Sequence, residues 1–220
     1  MSDKCCTIVI PHHNRHDHLK NLLNCLDNQL FDIIIVSGGS FAENCNKGAK
    51  LAETDKILFM NDDIIVNTDD IIEICSALNF ADVVGSTQIT KSKDKYYGIG
   101  FDCMDNNSIL KRSYYYYPIV KLKPNESLFP SGFLVGFKKT AWEKLNGFNT
   151  DFKTGYEDVD LGIRCIENHF KICILDLEIY HYESESSGRF TYQEENTKLL
   201  HQIYNQKYLK NLYENTNYCI

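Results

Sequence analysis

No apolar run in the 220-residue chain approaches the roughly 20 residues a membrane span requires. The opening residues, Met1-Ser2-Asp3-Lys4-Cys5-Cys6, lack the basic, then apolar, then small-residue order of an export signal, so the protein is expected to remain in the cytoplasm. Its nine cysteines form no CxxC pair and are odd in number, which argues against a disulfide framework or a zinc knuckle and fits a reducing compartment. A basic surplus is also missing: 23 Lys and Arg stand against 30 Asp and Glu, and the formal charge of -7 argues against nucleic acid as a partner. Any phosphate this chain handles must be neutralised by something other than a basic patch. Internal repeats and low-complexity linkers are absent too, and 220 residues with 43% hydrophobic side chains suit one buried core spanning 1–220.

What is present is an alternation of hydrophobic period. Thr7-Ile8-Val9-Ile10, stopped by Pro11, reads as a buried strand, and Leu19, Leu22, Leu23 and Leu26 form one apolar helical stripe. Ile33-Ile34-Ile35-Val36 is a second strand, broken by Ser37-Gly38-Gly39-Ser40. A helix from about Cys45 to Ala52 follows, and then the strand Ile57-Leu58-Phe59-Met60 ends at Asn61-Asp62-Asp63. This order predicts an α/β fold with a mostly parallel sheet and crossover helices, in which ligands gather at the carboxyl ends of the strands. Further helices are expected over Asp69–Leu78, capped by Asn67 or Thr68, over Lys139–Asn146, over Asp158–Asn168 and over Gln193–Tyr213. A strand near Lys171–Leu177 precedes His181, which is expected in a polar loop with Ser184, Ser186, Ser187, Gly188 and Arg189.

Three groups of residues could carry chemistry. Asn61-Asp62-Asp63 places carboxylates just after an apolar strand, where they suit a hard divalent cation, although such residues are also common in turns. Glu157-Asp158 opens a helix, with Asp160 in its first turn; acidic residues there complement the helix dipole, and an ionised Asp158 suits a general base. His12, His13, His16 and His18 follow the first strand, with His12 and His16 four apart, but no Glu or Cys completes a metal site and Pro11 interrupts the helix before them. The aromatic run Tyr114–Tyr117 reads equally well as a sugar-stacking surface or as an edge strand.

Taken in order, these segments resemble the family-2 glycosyltransferases of the A fold, in the manner of its rhamnosyltransferase-like members. The likeness runs through Ile8-Val9-Ile10-Pro11-His12-His13-Asn14-Arg15, Asn46-Lys47-Gly48 and Phe59-Met60-Asn61-Asp62-Asp63, then Gly132-Phe133-Leu134-Val135 and Leu145-Asn146-Gly147-Phe148-Asn149. It ends with Glu157-Asp158-Val159-Asp160-Leu161 and the stretch from His181 to Arg189. The resemblance implies an inverting transfer from a nucleoside-diphosphate sugar, UDP- or dTDP-linked, to an acceptor hydroxyl, with Mn²⁺ or Mg²⁺ as cofactor. It implies a nucleotide and metal half over about 1–100, an acceptor half over about 101–192, and a closing helix. Asp63 and His181 would bind the metal; Pro11, His12, Asn14 and Arg15 would line the nucleotide; Asn61 or Asp62 would contact the donor ribose. Glu157 would hold the acceptor hydroxyl and Asp158 would deprotonate it.

Ser37 stands where the family usually has an Asp that contacts the base, Cys45 where an Arg often precedes the Asn, and Asn61 where a first Asp is usual. These departures leave open a catalytically inactive nucleotide-sugar or carbohydrate-binding module. A sugar-1-phosphate nucleotidyltransferase would need a Gly-rich loop after the first strand, and Pro11–His18 contains no glycine.

Overall fold

The computed structural model describes residues 4–13, 16–91, 93, 95–102, 111–116, 129–182, 191–205 and 208, with only the backbone described over 96–102 and 111–116. The elements run β1 (Cys6–Pro11), α1 (His16–Asn24), β2 (Phe31–Val36), α2 (Phe41–Ala49), β3 (Lys56–Met60), β4 (Ile64–Ile65), α3 (Thr68–Ala77) and β5 (Val83–Ile89). They continue with β6 (Lys95–Asp102), β7 (Lys111–Tyr116), β8 (Leu134–Lys138), α4 (Lys139–Leu145), α5 (Glu157–Glu167), β9 (Ile172–His181) and α6 (Gln193–Ile203).

The sheet order is β2-β1-β3-β8-β5-β6-β7, with β9 pairing both β5 and β4. β1 is parallel to β2 and β3, as the strand–helix rhythm predicts. β8 then enters antiparallel between β3 and β5, so the sheet is mixed. Because β8 opposes both neighbours and β9 is parallel to β5, strands β1, β2, β3, β5 and β9 all point the same way. Their carboxyl ends, and the start of β8, therefore share one edge.

Successive side chains of a strand face opposite layers, and here both layers are apolar. Ile8, Ile10, Leu58, Met60, Val84 and Leu134 pack on one side with Leu22, Leu26, Ile71 and Ile74 of the α1 and α3 region. Val9, Ile57, Phe59, Val83, Val135 and Phe137 face Ala42, Cys45, Trp142, Leu145 and Leu161 from α2, α4 and α5. A third cluster, Phe129, Phe152, Tyr156, Val159, Ile163, Leu200 and Tyr204, fastens α6 to α5.

Three boundaries differ from expectation. α2 begins at Phe41 because Ser40 and Glu43 form a capping box, each side chain bonding the other's backbone N–H. β9 continues to His181, so this histidine closes a strand. Its apolar run is interrupted by Asp176 and Glu178, whose carboxylates meet Lys95 Nζ at 2.5 and 3.0 Å. α6 closes at Tyr204, whose backbone is extended and whose hydroxyl donates to buried Asp160 at 2.9 Å.

The Asn46-Lys47-Gly48 step is explained by packing. The Asn46 amide accepts from Phe148 N and donates to Phe148 O, both at 2.8 Å, so that it pairs like a strand residue with a segment 102 positions away. Gly48 lies so close to β1 that a Cβ would stand 2.3 Å from Val9 Cγ1. Asn46→Ala removes both bonds and leaves the Phe148 backbone without them. It is expected to lower stability by about 2 kcal/mol, a fall of roughly 4–8 °C in thermal unfolding. An unchanged melting temperature would show that the clamp carries no stability.

Candidate active site

The loop after β3 is pinned at both ends by the backbone. Asn61 N donates to Phe133 O at 2.8 Å, and Tyr182 N donates to Asp63 O at 3.0 Å. The two-residue strand β4 continues the second attachment, with Ile64 opposite His181 in an antiparallel pair. Asp63 and His181, 118 positions apart, are thereby brought together, and His181 Nε2 lies 3.1 Å from Asp63 Oδ1. The same nitrogen lies 3.2 Å from the Asn61 amide. Phe133 stacks on the His181 ring with centroids 5.3 Å apart and planes inclined by 20°.

These contacts cannot all be ordinary hydrogen bonds of a neutral imidazole, which has one N–H. If Nε2–H donates to Asp63, the Asn61 NH₂ as placed points at a donor, and the buried His181 Nδ1 is a lone pair with no hydrogen-bond partner among the described residues. If Nε2 instead accepts from Asn61, its lone pair faces the Asp63 carboxylate. A half-turn of the Asn61 amide, whose O and N are interchangeable by geometry, removes the conflict, since Nε2–H then faces two oxygens. With a divalent cation in place of that proton, Asp63, His181 and the Asn61 amide oxygen would be the groups to hold it. The donor set of carboxylate, imidazole and amide oxygen suits Mn²⁺ or Mg²⁺. Among the described residues no group of three or more His, Cys, Asp or Glu converges, so Asp63 and His181 are a pair to which the Asn61 amide adds the third group.

Asp62 turns to the other side. Its Oδ2 lies 2.7 Å from His12 Nδ1, both side chains being 9% exposed, and His12 Nε2 lies 3.3 Å from His16 Nδ1. The His12 backbone N–H donates to Val36 O at 2.8 Å, which ties the ends of β1 and β2 together. Ser37 follows directly and is exposed, and Pro11 is the last residue of β1. Asn14, Arg15, Tyr117 and the segment 183–190 lie outside the described residues.

Asp158 belongs to the same edge through the residue next to Phe133. Its Oδ2 accepts from Gly132 N at 3.3 Å and its Oδ1 from Val159 N at 2.9 Å. Glu157 precedes it at the first position of α5, buried and close enough to raise the Cys45 thiol, although burial of that thiol is the larger cause. The helix is entered through Tyr156, a non-glycine residue with φ of 74°, after Gly155 with φ of 105°.

Residues without a local sequence signal hold this entry. The Asn196 amide on α6 donates to the carbonyls of Lys153 and Gly155 and accepts from Lys153 N, and Tyr156 Oη contacts Thr197 Oγ1 at 3.0 Å. Asp160, expected among the acidic residues of the first turn, faces inward. It accepts from Arg164 at 2.6 and 2.9 Å and from Tyr204, while Arg164 also donates to the carbonyls of Leu145 and Gly147. Asp160 is a structural anchor.

The fold aligns with the crystal structure of residues 1–349 of S. aureus TarS at a TM-score of 0.60 and 12% identity, over 96% of this chain and 66% of that one. This likeness is one of fold, and the chain spans less than two thirds of the length of that solved structure. A search among curated protein sequences returned no significant match. No described helix is long and apolar enough to cross a membrane. Residues 24–207, which include the Asn61–Asp63 loop, Glu157-Asp158 and His181, match the model of glycosyltransferase-like family 2, and the chain belongs to that family.

Proposed function

We propose that this protein moves a sugar from a nucleoside-diphosphate sugar to an acceptor hydroxyl with inversion, using a divalent cation held by Asp63 and His181. The observation that supports this reading best is the convergence of the Asp63 carboxylate and the Asn61 amide on His181 Nε2, at the edge that also carries Asp158. Mn²⁺ or Mg²⁺ bound there would supply the positive charge that a departing diphosphate needs. That accounts for an acidic chain acting on an anionic donor. UDP and dTDP are the nucleotides in view, with Ser37 beside the base and Asn61 turned toward the cation.

The remaining steps belong to the chain. Glu157 holds the acceptor hydroxyl, and Asp158 takes its proton as the oxygen attacks the anomeric carbon from the face opposite the leaving group. One bond to the sugar forms as the bond to the diphosphate breaks, and a single displacement inverts the configuration. The two backbone N–H groups on Asp158 fix its oxygens, so the base is oriented before the acceptor arrives.

Metal dependence is read by thermal shift. UDP or dTDP at about 100 times its dissociation constant, with Mn²⁺, should stabilise the native state by about 2.7 kcal/mol, or roughly 5–10 °C. The shift should vanish in EDTA and in Asp63→Ala. An equal shift in EDTA would remove the cation from the site.

The base is tested by Asp158→Asn, which keeps the size but takes no proton, and whose NH₂ cannot accept one of the two backbone N–H bonds of the carboxylate. Nucleotide affinity should stay close to wild type and stability should fall by about 1–3 kcal/mol, while transfer falls by on the order of 10²–10⁴. Full transfer activity in this variant would remove Asp158 from the mechanism. Nucleotide binding with no transfer in wild type, across a screen of nucleotide sugars and acceptors, would identify a binding module.

A further inference from the structure

The resemblance offers Asn61 or Asp62 for the donor ribose, and in the structure Asp62 Oδ2 lies 2.7 Å from His12 Nδ1. His12 is 7% exposed as a whole residue and Asp62 the same, so the contact is shielded from water. A carboxylate facing a ring nitrogen at that distance requires a proton on that nitrogen. With Nδ1 protonated, neutral His12 presents Nε2 as an acceptor, and the His16 nitrogen found 3.3 Å away, Nδ1, must be the donor. The order of protons along Asp62, His12 and His16 is therefore fixed by one buried carboxylate.

We propose that Asp62 is a positioning residue acting through His12. It locks the His12 tautomer, and the chain Asp62–His12–His16 joins the loop after β3 to the end of β1 and to the first residue of α1. Each link crosses between elements: Asp62 follows β3, His12 follows β1, and His16 opens α1. The backbone bond from His12 N to Val36 O extends the tie to β2. Three strand ends of the nucleotide side are thus held in one arrangement through Asp62 Oδ2. The consequence for nucleotide binding rests on the function proposed above; the proton order does not.

Two measurements test this. Long-range ¹H–¹⁵N correlation of the imidazoles at about pH 8, above the ordinary imidazole range, should show His12 with a protonated Nδ1 in wild type. In Asp62→Ala, which has no acceptor, His12 should revert to the Nε2–H form that free imidazole side chains favour. A bare Nδ1 on wild-type His12 would overturn the proposal by itself, whether or not any variant folds.

The second measurement is calorimetry with UDP or dTDP and Mn²⁺ on wild type, Asp62→Ala, His12→Ala and the double variant. Each single change should weaken binding by on the order of 10-fold, and the double variant should be no weaker than the worse single. Penalties that multiply to about 100-fold would show two independent contacts and place Asp62 on the nucleotide after all. Undiminished affinity in Asp62→Ala would equally sink the positioning role. If wild type binds neither nucleotide, the proposed function fails, and the proton order is still decided by the imidazole spectra.

Discussion

One dipeptide, Gly132-Phe133, connects the parts of the site. Phe133 accepts from the Asn61 backbone and stacks on His181, while Gly132 donates to Asp158. A carboxylate from β3's loop, an imidazole from the end of β9 and a carboxylate from the start of α5 are therefore indexed to two adjacent residues that lead into β8. This depends on β8 being antiparallel. A parallel strand between β3 and β5 would bring its carboxyl end to this edge, whereas the antiparallel one brings its start and the loop before it. The mixed sheet is thus a requirement of the site's geometry.

The base helix is set from behind as well. Tyr156 adopts a left-handed conformation at its start, a strained arrangement for a bulky residue, of order 1 kcal/mol or more. It persists because the surroundings over-determine it. Its ring belongs to the cluster formed with α6, its hydroxyl meets Thr197, and Asn196 holds Lys153 and Gly155 before it. Asp160 completes the restraint by tying α5 to Tyr204 and, through Arg164, to the turn after α4. The helix that presents Asp158 is in this way fixed at its entry and along its inner face.

Local pattern carried much of this arrangement. β1, β2 and β3 were legible because strands buried on both faces are continuous apolar runs, and α3 because an amphipathic run follows Asn67, one of its two candidate caps; the Asp70 half of the capping box emerged only in the structure. Asp63, His181 and Asp158 were legible as a set only through the order of motifs along the chain. The two-residue strand β4 was not, since Ile64-Ile65 has no period of its own and exists by pairing with β9. Nor was the antiparallel sense of β8, because direction is decided by the connection and not by the strand's residues. The roles of Asn46, Asn196 and Asp160 were hidden for a different reason. Each is a polar side chain satisfied by groups from other elements, the nearest to Asn196 being 41 positions away. Composition cannot tell such a residue from one on the surface.

The two buried histidines show how hydrogen-bond bookkeeping separates roles that residue type leaves open. Both face an Asp of the same loop at similar range, 2.7 Å for His12 and 3.1 Å for His181. At His12 the donors and acceptors alternate along the chain Asp62, His12, His16, and each ring nitrogen has one partner that suits it. At His181 the Asp63 carboxylate and the Asn61 amide converge on one nitrogen while the other nitrogen, also buried, has no hydrogen-bond partner among the described residues. An isolated polar group left buried in this way is unfavourable by about 1–3 kcal/mol, a cost that the His12 set does not carry. Adjacent carboxylates consequently serve different ends. Asp62 Oδ2 is engaged by His12 on the β1 side of the loop, and Asp63 Oδ1 by His181 at the end of β9.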